Sequence, residues 1–274
     1  MRITSEEKQS GTLSEPRLAE ALRTFRDAGF VVLEDLYDPE WVAAMREAYN
    51  RTLQAHLGSI GGPEAAQQST QERLHLGFYP PVIPPFSDPA HIANPIAVQI
   101  MESLLGKDLI ASFFFSNTSY PGSGYQNIHR DHGHVFGTEL SVAAPVTHIA
   151  LNMPLCDFTE SNGSTEIWPG TQLIVDTDPA DGGKLAERVT AFPSMRTNLK
   201  IGALVLRDLR TWHRGTPNGT DTPRTMLSIV YRRGWLWDSA SMNIPQATWN
   251  GWPERAREIF RENRIVENVA EASA

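Results

Sequence analysis

His129 and Asp131 lie one residue apart in Gln126-Asn127-Ile128-His129-Arg130-Asp131-His132-Gly133-His134, the densest group of metal-ligating side chains in the sequence. In an extended strand, residues i and i+2 point to the same side, so this imidazole and this carboxylate can meet one cation. His213 would add a second imidazole. Two histidines and one carboxylate on one octahedral face leave three positions open, as in non-haem Fe(II) sites that take a co-substrate and O2. The spacing alone is weak. With 8 histidines and 13 aspartates in 274 residues, chance supplies a His-x-Asp pair roughly 0.4 times, so context must decide.

That context lies in the second half of the chain. Residues 204–213 lead into Arg214-Gly215-Thr216-Pro217-Asn218-Gly219-Thr220-Asp221-Thr222-Pro223, a stretch rich in turn residues. The chain then resumes as a β-rich run over 224–231. Two strands joined by such a loop are predicted to pair as an antiparallel hairpin, which returns Arg224 beside His213. An arginine there has a chemical use. 2-Oxoglutarate chelates iron through its C1 carboxylate and keto oxygen, and its C5 carboxylate then needs a partner. A planar guanidinium supplies one through two parallel hydrogen bonds.

On these residues the sequence resembles the phytanoyl-CoA dioxygenase family of Fe(II)/2-oxoglutarate-dependent oxygenases. The resemblance rests on His129-x-Asp131, on His213 preceded by Trp212, and on Arg224 eleven positions beyond His213. It extends to Asn162-Gly163-Ser164-Thr165-Glu166-Ile167-Trp168-Pro169-Gly170-Thr171 and to the opening Gly29-Phe30-Val31-Val32-Leu33 with Asp38-Pro39, and spans about residues 17–235. It implies a mainly β fold with flanking helices, built on a double-stranded β-helix (jelly roll, cupin-like) core over about 109–235. It also implies Fe(II) on His129, Asp131 and His213, with 2-oxoglutarate on Arg224, Gln126 and Thr165, and O2 as oxidant. Thr171 and Asn152 are weaker candidates for the co-substrate. Some members carry a serine where this chain has Gly215, so no contact is assigned to that position.

The implied reaction oxidises a C–H bond of a small organic molecule, such as a secondary metabolite, with formation of succinate and CO2. Asp131 favours oxygenation, because related halogenases replace this carboxylate with a small residue. Hydroxylation, desaturation, epoxidation, rearrangement and endoperoxidation all start from the same hydrogen abstraction, and the sequence does not separate them. His134, Phe136, Phe78, Tyr79 and Trp235 are the expected substrate-pocket residues. Two other readings stand beside this one. His132-x-His134 followed by Glu139 is similar to a metal-dependent cupin, but Val146 occupies the position of that pattern's trailing glycine. A non-catalytic β-barrel binding protein is the other, and a metal titration separates it from an enzyme.

The elements that must position these groups follow from periodicity and caps. Residues 1–15 read as a loose tail and 16–274 as one domain. Pro16 opens a helix carrying Leu18, Leu22 and Phe25 on one face and ended by Gly29, before a buried strand at Phe30-Val31-Val32-Leu33. Asp38-Pro39 starts a second helix, with Trp41, Val42, Met45 and Tyr49 inward. Residues 57–93, rich in Gly, Pro, Gln and Ser, read as a long irregular segment and a candidate lid. Asn94-Pro95 caps a helix ended by Gly106. Short apolar or alternating runs over 109–116, 147–155, 165–168, 199–206 and 224–231 then indicate a sandwich or barrel. A last helix is expected over 253–263.

Composition limits the partners. A net charge of −8 with no basic run argues against nucleic acid, which is held by clustered Lys and Arg. The lone Cys156 excludes an intramolecular disulfide and fits a reducing compartment. The polar first residues lack the apolar centre of a signal peptide, and no apolar run approaches the ~20 residues of a membrane helix. A cytoplasmic location and a small-molecule partner are therefore expected, while oligomeric state is not readable.

Overall fold

The computed structural model describes residues 1–66, 73–137, 139–175, 182–239 and 241–268. The chain opens with helices α1 (Ser5–Ser10) and α2 (Glu15–Ala28), strand β1 (Phe30–Leu33) and helix α3 (Pro39–Ile60). Next come β2 (His75–Phe78), α4 (Pro89–Ile92), α5 (Pro95–Leu105), β3 (Ile110–Ser119) and β4 (His148–Pro154). β5 (Glu166–Ile167), α6 (Gly182–Arg188), β6 (Met195–Arg196), β7 (Leu204–Asp208), β8 (His213–Arg214) and β9 (Arg224–Arg232) follow. β10 (Asn243–Pro245), α7 (Gln246–Gly251), α8 (Glu254–Ile259) and β11 (Arg264–Val266) complete the order.

Six strands form one antiparallel sheet in the order β1-β7-β4-β9-β3-β2. A smaller antiparallel sheet runs β6-β5-β8, and β10 pairs with β11 in parallel. The fold is therefore mainly β with flanking helices. Side chains alternate across the large sheet, and that alternation divides its labour. Phe114, Ile149, Leu151, Leu204, Leu206, Leu227 and Ile229 point to one face and join the main core with Phe25 of α2, Met45 and Tyr49 of α3 and Ile100 of α5. Phe113, Phe115, Asn152, Arg207, Arg224 and Met226 point to the other face and line a cavity toward the small sheet. The apolar face fixes the register, because a slip of one residue would turn both sets inside out.

Local signals start and stop the helices as their chemistry dictates. Asp38 accepts from the Glu40 N–H ahead of Pro39, and Asn94 accepts from Ile96 and Ala97 ahead of Pro95. Gly29 ends α2 at φ 84°, where a side chain would also strike Thr211 and Gln172.

Three expectations are corrected. Residues 1–15 are not a loose tail. Thr4 and Glu7 form a capping box for α1, Ile3 N–H donates to Glu34 O, and Ile3 and Leu13 are buried. Residues 57–93 are not one irregular lid. α3 continues to Ile60, β2 pairs along β3, and Leu76, Val82, Phe86 and Ile92 are buried in the core. Residues 67–72 of that segment lie outside the described residues. His213 and Arg224 do not face each other across a hairpin either. β8 pairs with β5 in the small sheet, whereas β9 lies between β4 and β3 in the large one. The turn-rich loop crosses from sheet to sheet instead of folding back.

Candidate metal centre

The two histidines are joined through their backbones. His129 N–H donates to His213 O at 3.0 Å and His213 N–H returns to His129 O at 2.9 Å. His129 is thus anchored by a single bridge to β8 and not by a continuous strand. Asp131 N–H donates to Leu209 O at 2.9 Å, which holds the carboxylate two residues further along the same crossing.

Three ligand atoms converge. Asp131 Oδ1 lies 3.5 Å from His129 Nε2 and 3.6 Å from His213 Nε2, and the group fits within 4.8 Å. The edge of an octahedral face with bonds of ~2.1 Å is about 3 Å, so this spacing suits one ion. The opposite ring nitrogens settle the tautomers. His129 Nδ1 is 2.7 Å from Asn127 O and His213 Nδ1 is 3.0 Å from Thr211 O. A carbonyl only accepts, so each Nδ1 carries the proton and each Nε2 presents its lone pair to the centre of the cluster.

Arg207 completes the electrostatics. One of its guanidinium nitrogens donates to Asp131 Oδ2, leaving Oδ1 toward the histidines, and another lies 3.3 Å from His213 Nδ1. The His213 proton is committed to the nearer Thr211 carbonyl, so the second approach acts on His213 as charge. Burial alone would raise the Asp131 carboxyl, but Arg207, His213 and His129 outweigh it and hold the group well below the usual carboxylate range. Burial and then Arg207 hold His213 well below its ordinary value, so the imidazole is neutral, as a metal ligand must be.

Arg224 sits at the other end of the same cavity. It is 1% exposed, its guanidinium lies 4.7 Å from the Phe158 ring, and it has no ion pair among the described residues. Burial lowers its pKa to about 10, Cys156 and Arg196 being the smaller influences. A buried cation without an anion is costly, and here it faces space an anion can fill.

The family model for phytanoyl-CoA dioxygenase (PhyH) matches residues 25–226. The chain belongs to the phytanoyl-CoA dioxygenase family. Similar solved structures include the non-haem alpha-ketoglutarate-dependent carbocyclase SnoK from nogalamycin biosynthesis, 18% identical over 83% of this chain and 89% of that one, with a TM-score of 0.61. The epimerase SnoN from the same biosynthesis is 19% identical over 80% of this chain and 82% of that one, TM-score 0.62. AviO1 from Streptomyces viridochromogenes Tue57 is 18% identical over 82% of this chain and 99% of that one, TM-score 0.60. These likenesses are of fold, and the jelly-roll core is common to them.

Within this family member, the cavity shared by the cluster and Arg224 measures about 300 Å³. Gln126, Thr165, Asn152, Phe78 and Tyr79 line it as well. Gln126 Oε1 accepts from Gly215 N–H at 2.7 Å, and a side chain at 215 would collide with Gln126 and His75. The glycine at 215 thus seats the glutamine. Thr165 reaches the cavity while its carbonyl accepts from Thr197. Thr171 does not line it, since its hydroxyl donates to Trp168 O.

A second cavity of about 550 Å³ meets the first at Asp131, Phe113 and Phe115. His134 lines this one, with its Nε2 2.9 Å from Ile174 O. Phe136 and Trp235, both exposed, line neither cavity. Their loops carry them outward into solvent. His132 and His134 do not join the ligand cluster, so the cupin set is not assembled among the described residues. Sequence reasoning missed Arg207, and it missed that His148 and Trp237 line the second cavity. Arg207 alone left a signal, a charge inside the apolar run Leu204–Asp208. No helix among the described residues is long and apolar enough to cross a membrane.

Proposed function

We propose that this chain is an Fe(II)- and 2-oxoglutarate-dependent dioxygenase that oxidises a C–H bond of a small organic molecule, releasing succinate and CO2. The observation that carries the reading is the occurrence, in one cavity, of a three-atom ligand cluster and a buried guanidinium that has no ion pair among the described residues. His129 Nε2, Asp131 Oδ1 and His213 Nε2 are the proposed iron ligands. Bound iron with O2 and 2-oxoglutarate supplies the oxidising power to break an unactivated C–H bond.

The protein's own part is positional. The Asn127 and Thr211 carbonyls fix the two imidazoles, and Arg207 fixes the carboxylate so that one oxygen is offered. Arg224 is the proposed partner for the far carboxylate of 2-oxoglutarate, with Thr165 and Gln126 beside it. Phe158 covers the guanidinium and excludes water, which strengthens that pairing. A structure of the similar SnoN was determined with Fe3+, alpha ketoglutarate and nogalamycin RO. That precedent favours a secondary metabolite as substrate.

Iron-loaded protein with 2-oxoglutarate and O2 should form succinate, and Asp131→Ala or His213→Ala should abolish it. Equal succinate formation by either variant overturns the assignment.

A further inference from the structure

The second cavity is lined by none of His129, His213 and Arg224, yet it shares Asp131 with the cluster. Its volume, about 550 Å³, suits a ligand of drug-like size. Two features of its wall select what enters. The first is aromatic. Phe113 and Phe115 lie ring to ring at 5.3 Å on the metal side, and Trp237 stands at the mouth 86% exposed, without a ring partner among the described residues. A bare indole at a cavity mouth is a stacking surface awaiting a ligand.

The second feature is a polar pair. His132 and His148 stack at 4.1 Å with 27° between their planes. His132 Nδ1 donates to Gly133 O at 2.7 Å, and its Nε2 has no hydrogen bond among the described residues. His148 is 8% exposed, its Nδ1 meets Thr147 Oγ1 at 3.1 Å, and its Nε2 has no hydrogen bond among the described residues. Burial and then His132 hold His148 at about 4, so this imidazole is neutral at pH 7.

Among the described residues no lysine or arginine lines the wall. Arg210 is committed to Asp208 and Ala144 O, and Arg232 to Glu262 and Leu236 O. Asp238 adds a carboxylate at the lining. A phosphate or carboxylate entering here would be desolvated against no positive partner. We infer that this cavity is the substrate chamber and takes an uncharged, ring-bearing molecule whose hydroxyl or carbonyl binds the His132–His148 pair, not a coenzyme A thioester. The inference rests on the oxygenase reading, because it places the substrate beside Asp131.

The test uses whole protein loaded with Mn(II), which binds without turnover, and saturated with 2-oxoglutarate. Calorimetric titration with 1-naphthol, 1-naphthoate and coenzyme A should show 1-naphthol binding at least about tenfold tighter than the two anions, the worth of roughly one hydrogen bond lost or one charge desolvated. Ala150→Phe, which fills the chamber, should weaken 1-naphthol about tenfold or more and leave the Kd for 2-oxoglutarate unchanged. His148→Phe keeps a ring but removes the bond, and should cost about tenfold, so it decides the matter if the first variant misfolds. Trp237→Ala should cost roughly two- to tenfold. Failure of 1-naphthol to bind, equal binding of 1-naphthoate or coenzyme A, or indifference to His148→Phe overturns the inference. Failure of 2-oxoglutarate itself to bind the wild type would instead overturn the oxygenase reading.

Discussion

Replacing Arg224 with methionine separates two energies that coincide at one side chain. Without a ligand the guanidinium is a buried cation with no ion pair among the described residues, and burial lowers its pKa from the ordinary arginine range to about 10. At about 1.4 kcal/mol for each tenfold change, the folded cation is disfavoured by roughly 3 kcal/mol. The folded value lies below the unfolded one, so at pH 7 this cost is fully present. Methionine removes it and forfeits the contact with Phe158, worth ~0.5–2 kcal/mol. The ligand-free variant should therefore be more stable by roughly 1–2 kcal/mol, a Tm rise of about 2–6 °C. Binding moves the other way. Two charge-assisted hydrogen bonds at ~1.5–3 kcal/mol each make a loss of about 3 kcal/mol a lower bound, so the Kd for 2-oxoglutarate should rise a hundredfold or more. Anaerobic calorimetry on Mn(II)-loaded protein and a thermal scan of the ligand-free form read the two effects. Arg224→Lys should fall between them, since a point charge keeps the attraction and loses the fork. A Kd within threefold of wild type would remove Arg224 as the carboxylate partner, and a lower Tm in the ligand-free methionine variant would show that the buried cation carries no such cost.

Three further outcomes follow from neighbouring contacts. Arg207→Gln releases Asp131 Oδ2 and should weaken Mn(II) binding about 10–100-fold, with part of the loss restored by Arg207→Lys; an unchanged isotherm would remove Arg207 from the account. Gly215→Ser places a Cβ 2.5 Å from Gln126 Oε1 and 2.6 Å from His75 Cε1. It should cost roughly 1–3 kcal/mol in urea denaturation, and a neutral result would show that Gln126 is not held there. His91 is fully buried, neither ring nitrogen has a hydrogen bond among the described residues, and burial lowers its pKa from 6.5 to about 3. Within that window the unfolded chain binds a proton the folded chain refuses. The contribution is complete above about pH 6.5 and is lost at about 1.4 kcal/mol per pH unit as pH falls toward 3. His91→Phe should flatten that slope, and an identical acid profile would contradict it.

The sequence carried the identities of the site residues further than their connections. Helix caps at Asp38 and Asn94 and the alternation in β3, β4 and β9 were legible because they are local, and the structure uses them as such. The route joining His213 to Arg224 was not legible. A turn-rich loop between two strands looks the same whether it folds back or crosses between sheets. Arg207 acts on a carboxylate 76 residues away, and no spacing rule spans such a contact. The first residues offered a readable signal, Thr4 with Glu7, that general polarity obscured. In 57–93 the buried Leu76 and Phe78 alternate over only the four residues of β2, and Val82, Phe86 and Ile92 are set among prolines, so glycine and proline dominated the pattern.

The oxygenase reading stands on His129, Asp131 and His213 holding one iron. Anaerobic calorimetric titration of Fe(II) into wild type and into Asp131→Ala and His213→Ala tests it most directly. One ion per chain is expected in the wild type and loss of that binding in both variants, with folding verified by circular dichroism. Equal Fe(II) affinity and stoichiometry in all three proteins would contradict it.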